Sequence, residues 1–195
     1  MNNYKAAFIG TGMIGSGLAA NAALNGLDVT LYDVVDFNII QKNFRKILDI
    51  LVEAGAIEQA GADKAFKATR FTTDLKKAVE GADFVQECIP EKIDLKQSTY
   101  KTIQQVTGPD TVICSSTTRI FPSRLQEGAL YPGSIVVGHP YNPSYLLPLI
   151  EICGGPGAEP KMVEKAVSVY KAMGKVPIIC KKEIDGFIVN RVSWA

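Results

Sequence analysis

Histidine is almost absent from this sequence, since His139 is the only one among 195 residues. A metal site built from several histidines is therefore excluded, and any chemistry that needs an imidazole depends on this one residue. The cysteines include no CxxC pair, so neither a zinc site nor a redox dithiol is indicated, and we expect no bound metal. We expect reduced thiols in the core at four positions: Cys88, Cys114, Cys153 and Cys180.

Three further features are lacking: a charge imbalance, a membrane-spanning segment and a secretory signal. Lysine and arginine number 21 against 20 acidic residues, and the resulting charge of +1 favours neither a nucleic acid nor a membrane as partner. The uncharged run 6–27 contains five glycines and several polar residues, so we do not expect it to span a membrane. Without the pattern of a signal peptide, we expect a cytoplasmic protein.

Short β-type runs alternate with helical segments along the chain. We predict strands at 4–9, 28–32, 70–72, 84–89, 111–115, 135–138, 147–153 and 176–180. We predict helices at 13–25, 38–54, 74–80, 93–106 and 160–173, with a shorter helix ending at 68. This alternation predicts an α/β fold of the Rossmann type: a doubly wound, mostly parallel sheet with helices on both faces and a helical insertion after the second strand.

A glycine motif follows the first predicted strand. Residues 10–15 read GTGMIG and match GxGxxG, a pattern whose glycines allow a tight turn, close approach of a pyrophosphate and close packing of helix on strand. The phosphates would lie at the positive end of the helix dipole. The motif predicts five cofactor-binding residues: Gly10, Gly12, Met13, Ile14 and Gly15.

An acidic residue stands where such a motif needs one. Asp33 lies 18 residues after Gly15, at the end of the second predicted strand, where a carboxylate accepts hydrogen bonds from both adenosine ribose hydroxyls. A 2′-phosphate would meet this charge and no arginine follows directly, so the cofactor is predicted to be NAD. The alternative is a glycine turn without ligand and an ordinary surface aspartate.

The single histidine directly follows a predicted strand, and Glu151 comes 12 residues later within the next apolar strand. Ligands of open α/β sheets bind at the carboxyl ends of strands, which is where His139 is predicted to lie. A carboxylate among apolar neighbours is costly unless paired, and an imidazole on the adjacent strand is a suitable partner. We therefore predict that His139 is a general base oriented by Glu151. The alternative is a histidine without function.

Four motifs together resemble the 3-hydroxyacyl-CoA dehydrogenase family. They are GTGMIG at 10–15, PEKIDLK at 90–96, GHPYNP at 138–143 with Glu151 behind it, and DGFIVNR at 185–191. The resemblance implies an NAD-dependent dehydrogenase in which His139 is the catalytic base and Glu151 its partner. It implies that Asn190 holds the reacting oxygen and that Glu91 and Lys96 contact the cofactor.

One segment departs from the family pattern. Residues 115–119 read SSTTR, where the family usually has SNTSS or SSTSG. The resemblance therefore implies that Thr118 supplies the active-site hydroxyl in place of serine, while the long Arg119 beside it alters the pocket. The alternative for Thr118 is an ordinary hydroxyl at a strand end.

The substrate class follows from finer similarities. Segments 81–96 and 138–155 are most similar to the L-carnitine dehydrogenases of this family, and also to the L-gulonate dehydrogenases. Members that act on acyl-CoA tend to carry a lysine cluster on the helix after the second strand. In the corresponding stretch 44–53, Arg45 and Lys46 remain, but the turn that follows them is apolar and acidic. We expect oxidation of a small 3-hydroxy acid such as L-carnitine. The alternatives are 3-hydroxybutyryl-CoA and a crystallin-like, non-catalytic NAD-binding protein.

The resemblance also predicts the domain organisation. Residues 1–190 would form the NAD-binding domain that carries the catalytic histidine, and 191–195 would begin a C-terminal helical domain, absent here, of roughly 100 residues. In the family that domain closes the substrate site and forms a homodimer. We therefore expect the 195 residues to bind NAD without turnover, and expect a small molecule as the partner.

Overall fold

Eight strands form the framework of the protein. The computed structural model describes residues 4–194 and, within the last helix, side chains as far as Arg191. The strands are β1 (Lys5–Ile9), β2 (Asp28–Tyr32), β3 (Arg70–Thr72), β4 (Phe84–Glu87), β5 (Val112–Ser115), β6 (Ile135–Pro140), β7 (Leu149–Cys153) and β8 (Val176–Cys180).

Eight helices connect or follow these strands within the described residues. They are α1 (Met13–Leu24), α2 (Phe37–Glu53), α3 (Gln59–Ala68), α4 (Leu75–Val79), α5 (Ile93–Thr107), α6 (Pro122–Gln126), α7 (Pro160–Ala172) and α8 (Phe187–Trp194). Two of them begin at an aspartate whose side chain accepts a backbone N–H, from Asn38 to Asp36 at 2.8 Å and from Lys76 to Asp74 at 3.0 Å. Such caps satisfy amides that have no partner within the helix.

The sheet has the order β3-β2-β1-β4-β5-β6-β7-β8. All neighbouring pairs are parallel except β6 and β7, which run antiparallel. The chain winds outward in opposite directions from β1 and β4, which creates the crevice where open α/β sheets bind ligands. The predicted Rossmann-type architecture is confirmed, with α2 and α3 forming the helical insertion after β2.

Both faces of the sheet are covered, so the side chains of the central strands are mostly apolar. On β1, Ala6 and Phe8 face a core shared with α1, α2 and α7, while Ala7 and Ile9 face a second core shared with α4 and α5. This division follows from the alternation of side chains along a strand. The uncharged run 6–27 therefore comprises a buried strand, a glycine loop and a short helix. No helix among the described residues combines the length and the apolar character needed to cross a bilayer.

Several elements differ from their predicted bounds, and two of the differences lie beside the predicted base. β6 extends to Pro140, so His139 lies inside the strand, and β7 begins at Leu149 instead of residue 147. The carbonyl of Leu147 accepts a hydrogen bond from Lys175 Nζ at 2.9 Å and therefore lies in the connecting loop. Helix α8 spans 187–194, and the predicted domain boundary after residue 190 falls within it and stays a prediction.

Candidate active site

The glycine loop joins β1 to α1 and leaves the start of this helix open. Gly10 has φ +98°, a conformation that favours glycine, and a Cβ on Gly15 would lie 1.9 Å from the Gly10 carbonyl oxygen. A Cβ on Gly12 would meet nothing within 4 Å. No side chain caps the helix and its first turn has no acidic residue. The free amides at this end can therefore receive an anionic pyrophosphate, and the residues present fit NAD.

Asp33 lies beside this loop at the end of β2. Its Oδ2 accepts hydrogen bonds from Thr11 N at 2.7 Å and Thr11 Oγ1 at 2.8 Å, and its Oδ1 accepts one from Val34 N at 2.7 Å. Asp33 therefore holds the glycine loop in place. It also lines an adjoining cavity of about 610 Å³, together with Gly10, Gly12 and Ile89. The carboxylate has about four acceptor positions, so one remains on Oδ1. Its contact with both ribose hydroxyls stays a prediction.

His139 and Glu151 are direct cross-strand partners of β6 and β7. His139 Nδ1 lies 3.0 Å from Glu151 Oε2, and both side chains are buried. A carboxylate only accepts hydrogen bonds, so the imidazole carries its proton on Nδ1 and Nε2 keeps a free lone pair. The basic nitrogen is therefore the one that faces the open edge of the sheet.

Glu151 is held by donors from three parts of the chain. Besides His139, the Tyr141 hydroxyl donates to Oε2 at 2.7 Å, and the amides of Ile188 and Val189 donate to Oε1 at 2.8 and 3.1 Å. These two amides belong to the first turn of α8, whose positive end favours a carboxylate. Burial acts to raise the pKa of Glu151, but these hydrogen bonds outweigh it and hold the pKa below its ordinary value.

Thr118 lies on the turn that follows β5, and its Oγ1 is 3.4 Å from His139 Nε2. Glu91 fixes this turn, because its Oε1 accepts hydrogen bonds from the Thr117 hydroxyl and from the amides of Thr118 at 3.1 Å and Arg119 at 3.2 Å. Burial raises the pKa of Glu91, yet these donors and the charge of Lys96 lower it overall. The structure thus brings Thr118 to His139 and places Glu91 behind it.

Lys96 is fully buried, away from the surface where a cofactor would lie. Its Nζ is 2.7 Å from Glu87 Oε1 and 3.5 Å from Glu91 Oε2. Glu87 is equally buried and also accepts hydrogen bonds from the Tyr100 hydroxyl, from Ser115 Oγ at 2.7 Å and from the Ile89 amide at 2.8 Å. The expected contact between Lys96 and NAD is not visible in this arrangement and stays a prediction.

Asn190 lies on α8 directly after Ile188 and Val189, whose amides bind Glu151, and its backbone is near the Tyr141 hydroxyl. Its contact with a reacting oxygen stays a prediction. Sequence reasoning missed Tyr141 as a partner of Glu151. Its position two residues after His139 was the available signal, because side chains at this spacing point to the same side of an extended segment.

A buried lysine holds the loop between β6 and β7. Lys175 donates to the carbonyl oxygens of Ser144 and Leu147, and no carboxylate among the described residues pairs with it. Burial lowers the pKa of Lys175 to about 8. The loop is also tied to α1, where Ser144 Oγ donates to the Ile14 carbonyl at 3.2 Å. This second link joins the segment after His139 to the helix that begins at the glycine loop.

A family model described as 3-hydroxyacyl-CoA dehydrogenase, NAD binding domain, matches residues 5–184. The chain belongs to this family. The match covers the glycine loop, the Thr118 turn and the His139–Glu151 pair. The resemblance expected from the four motifs is therefore confirmed, and NAD is the cofactor of this domain type.

Curated relatives and solved structures agree with this assignment. The chain is 42% identical to an L-carnitine dehydrogenase/betainyl-CoA thioesterase of Ruegeria pomeroyi over 95% of its length and 38% of that protein. It is 38% identical to the L-carnitine dehydrogenase of Pseudomonas putida over 97% of its length and 58% of that enzyme. The 3-hydroxybutyryl-CoA dehydrogenase structure from Escherichia coli superposes with a TM-score of 0.90 at 27% identity, over 99% of this chain and 41% of that one.

These coverages show that the chain spans between about two fifths and three fifths of the proteins it matches. The shared part is the half that contains the glycine loop and the His139–Glu151 pair. What the whole protein does is therefore argued below from the site itself.

Proposed function

We propose that the protein oxidises the 3-hydroxyl group of a small 3-hydroxy acid such as L-carnitine, with NAD as the acceptor. The observation that carries this proposal is the arrangement of His139. Its Nδ1 is bound to the buried Glu151, and its Nε2 lies 3.4 Å from Thr118 Oγ1 at the edge of the sheet that also bears the glycine loop. A base and a hydroxyl thus lie at the same edge of the sheet as the proposed pyrophosphate site.

Each residue of the proposed site has a separate role in the reaction. Bound NAD supplies the acceptor for the hydride that leaves the carbon bearing the hydroxyl. His139 Nε2 accepts the hydroxyl proton, and Glu151 stabilises the imidazolium that forms. The Thr118 hydroxyl holds the reacting oxygen beside Nε2, a task in which we propose that Asn190 takes part.

The surroundings favour a free carboxylic acid over a CoA thioester. Arg45 does not offer its charge to a CoA phosphate, because it is engaged by Asp49 at 2.7 Å and Asp63 at 2.6 Å. Arg119 follows Thr118 directly and is exposed, and the described residues offer its guanidinium no ion-pair partner. A cation beside the reacting hydroxyl suits a carboxylate, which a thioester lacks.

The substrate is tested by following NADH formation with the full-length protein and three compounds: L-carnitine, L-gulonate and 3-hydroxybutyryl-CoA. We expect turnover of L-carnitine, in keeping with the relatives named above. Turnover of the CoA ester alone would overturn the preferred substrate class. NAD binding in calorimetry, without turnover of any 3-hydroxy acid, would instead support the crystallin-like alternative.

The role of His139 is tested by His139→Gln, which keeps a polar side chain but removes the base. We expect kcat to fall by about two to four orders of magnitude, while the affinity for NAD measured by calorimetry stays the same. An unchanged kcat would remove His139 from its role. The homodimer implied by the family resemblance and the cytoplasmic location expected without a signal-peptide pattern stay predictions.

A further inference from the structure

Two side chains compete for one oxygen of Glu151. His139 Nδ1 lies 3.0 Å from Oε2, and the Tyr141 hydroxyl donates to the same atom at 2.7 Å. The other oxygen, Oε1, is already occupied by the amides of Ile188 and Val189. Glu151 is fully buried, and among the described residues these four groups are its hydrogen-bond partners. The family role of the histidine and glutamate does not explain why a tyrosine shares their contact.

We infer that Tyr141 is a positioning residue that acts through Glu151: by sharing Oε2 with His139, its hydroxyl limits how strongly Glu151 stabilises the protonated imidazole. Without this hydroxyl, Glu151 would stabilise the protonated imidazole more strongly. This inference rests on the proposed function, in which His139 removes a proton from the substrate hydroxyl.

The physical argument concerns the charge of the carboxylate. Each hydrogen bond donated to a carboxylate stabilises its charge and lowers its affinity for a further proton or cation. A phenol bound to Oε2 therefore reduces the negative charge available to the imidazole ring. Burial, together with the hydrogen bond to Glu151 and its charge, raises the pKa of the Tyr141 hydroxyl. The hydroxyl thus stays a donor throughout the pH range in which an imidazole titrates.

The rings around His139 hold this geometry. The Tyr141 ring meets the imidazole edge-on at a centroid distance of 5.0 Å, and the Phe187 ring lies at 5.2 Å with an interplanar angle of 34°. His139 is therefore packed between Tyr141 and the first residue of α8. The contact of both donors with Oε2 is part of a packed cluster and not of a mobile surface.

The other groups that face Glu151 do not take over the role of Tyr141. Burial and the charge of Glu151 raise the pKa of the Cys180 thiol on β8 to about 12. Burial also raises the pKa of the Cys153 thiol on β7. Both thiols are therefore uncharged near neutral pH. Helix α8 contributes only backbone amides, and His139 is the one ion-pair partner of Glu151 among the described residues.

The test uses the fact that the chain has a single histidine. In untagged protein, the imidazole signals in an NMR pH titration belong to His139 alone, so its protonation is read without substrate. In Tyr141→Phe we expect the midpoint of this titration to move to higher pH by about 0.5 to 1 unit. Tyr131→Phe removes a hydroxyl at the opposite end of β6 and serves as the matched control, with the midpoint unchanged. An unmoved or lowered midpoint in Tyr141→Phe overturns the inference.

A second measurement follows the rate at which the full-length protein oxidises L-carnitine as a function of pH. In Tyr141→Phe the acid limb of kcat/KM should move to higher pH by the same interval, with the rate at high pH retained. A loss of rate at every pH with an unmoved limb would show a structural role only and would overturn the inference. Absence of turnover with every 3-hydroxy acid would overturn the proposed function alone, because the NMR titration is read independently of it.

Discussion

Replacing Lys96 by methionine tests whether the charge of this lysine stabilises the fold or contacts the cofactor. Lys96 and Glu87 are both fully buried, with Nζ and Oε1 2.7 Å apart. Lys96→Met keeps an apolar stem of similar length but leaves the carboxylate of Glu87 without its cation. Removing one partner of a buried pair costs about 3 to 5 kcal/mol in free energy of unfolding. For a protein of this size, that loss lowers the melting temperature by about 6 to 20 °C.

The assay is thermal and urea unfolding followed by circular dichroism, together with NAD binding by calorimetry. Lys101→Met, an exposed lysine on the same helix, is the matched control and should be near neutral. Glu87→Gln/Lys96→Met removes both charges and should recover at least about 2 kcal/mol relative to Lys96→Met. The reasoning is refuted if Lys96→Met loses less than about 1 kcal/mol, or if the double variant is no more stable. Weakened NAD binding at unchanged stability would instead support the cofactor contact.

Two further outcomes are expected from the glycine loop and from Glu151. Gly15→Ala places a Cβ 1.9 Å from the Gly10 carbonyl oxygen, so NAD binding measured by calorimetry should be lost. In the control Gly61→Ala, the added Cβ meets nothing within 4 Å, and NAD binding should be unchanged. Glu151 has a lowered pKa in the folded state, so its stabilising contribution is complete above the ordinary carboxyl pKa and is lost as pH falls through the folded value. The urea midpoint should therefore fall on acidification from about pH 6 to pH 3, and less steeply in Glu151→Gln. Retained NAD binding in Gly15→Ala, or equal pH slopes for the two proteins, would contradict these expectations.

The first half of the fold could be predicted because its signals are local. The strand, glycine loop, helix and second strand each leave a short pattern, and Asp33 follows at the expected spacing. His139 and Glu151 could be paired because a buried acid needs a partner and only one histidine exists. The antiparallel direction of β7 left no such signal, since an apolar run of five residues is compatible with either direction.

The contacts of the buried lysines could not be predicted, because they depend on tertiary structure that a sequence does not display. PEKIDLK predicts a cofactor contact for Lys96, which stays a prediction, but it gives no sign of the buried ion pair between Lys96 Nζ and Glu87 Oε1. The contacts of Lys175 could not be predicted either, because its partners are two backbone carbonyls in the loop 141–148. Contacts with backbone atoms carry no residue-type signature.

The register of β6 and β7 has a consequence for how this site can change. His139 and Glu151 face each other across a strand ladder, so backbone hydrogen bonds set their separation and the intervening loop does not. Residues 142–148 can thus vary in shape and chemistry without displacing the base from its carboxylate. Shifting either strand by one residue would turn one member of the pair to the opposite face of the sheet. Changes confined to that loop can therefore leave the geometry of the His139–Glu151 pair unaltered.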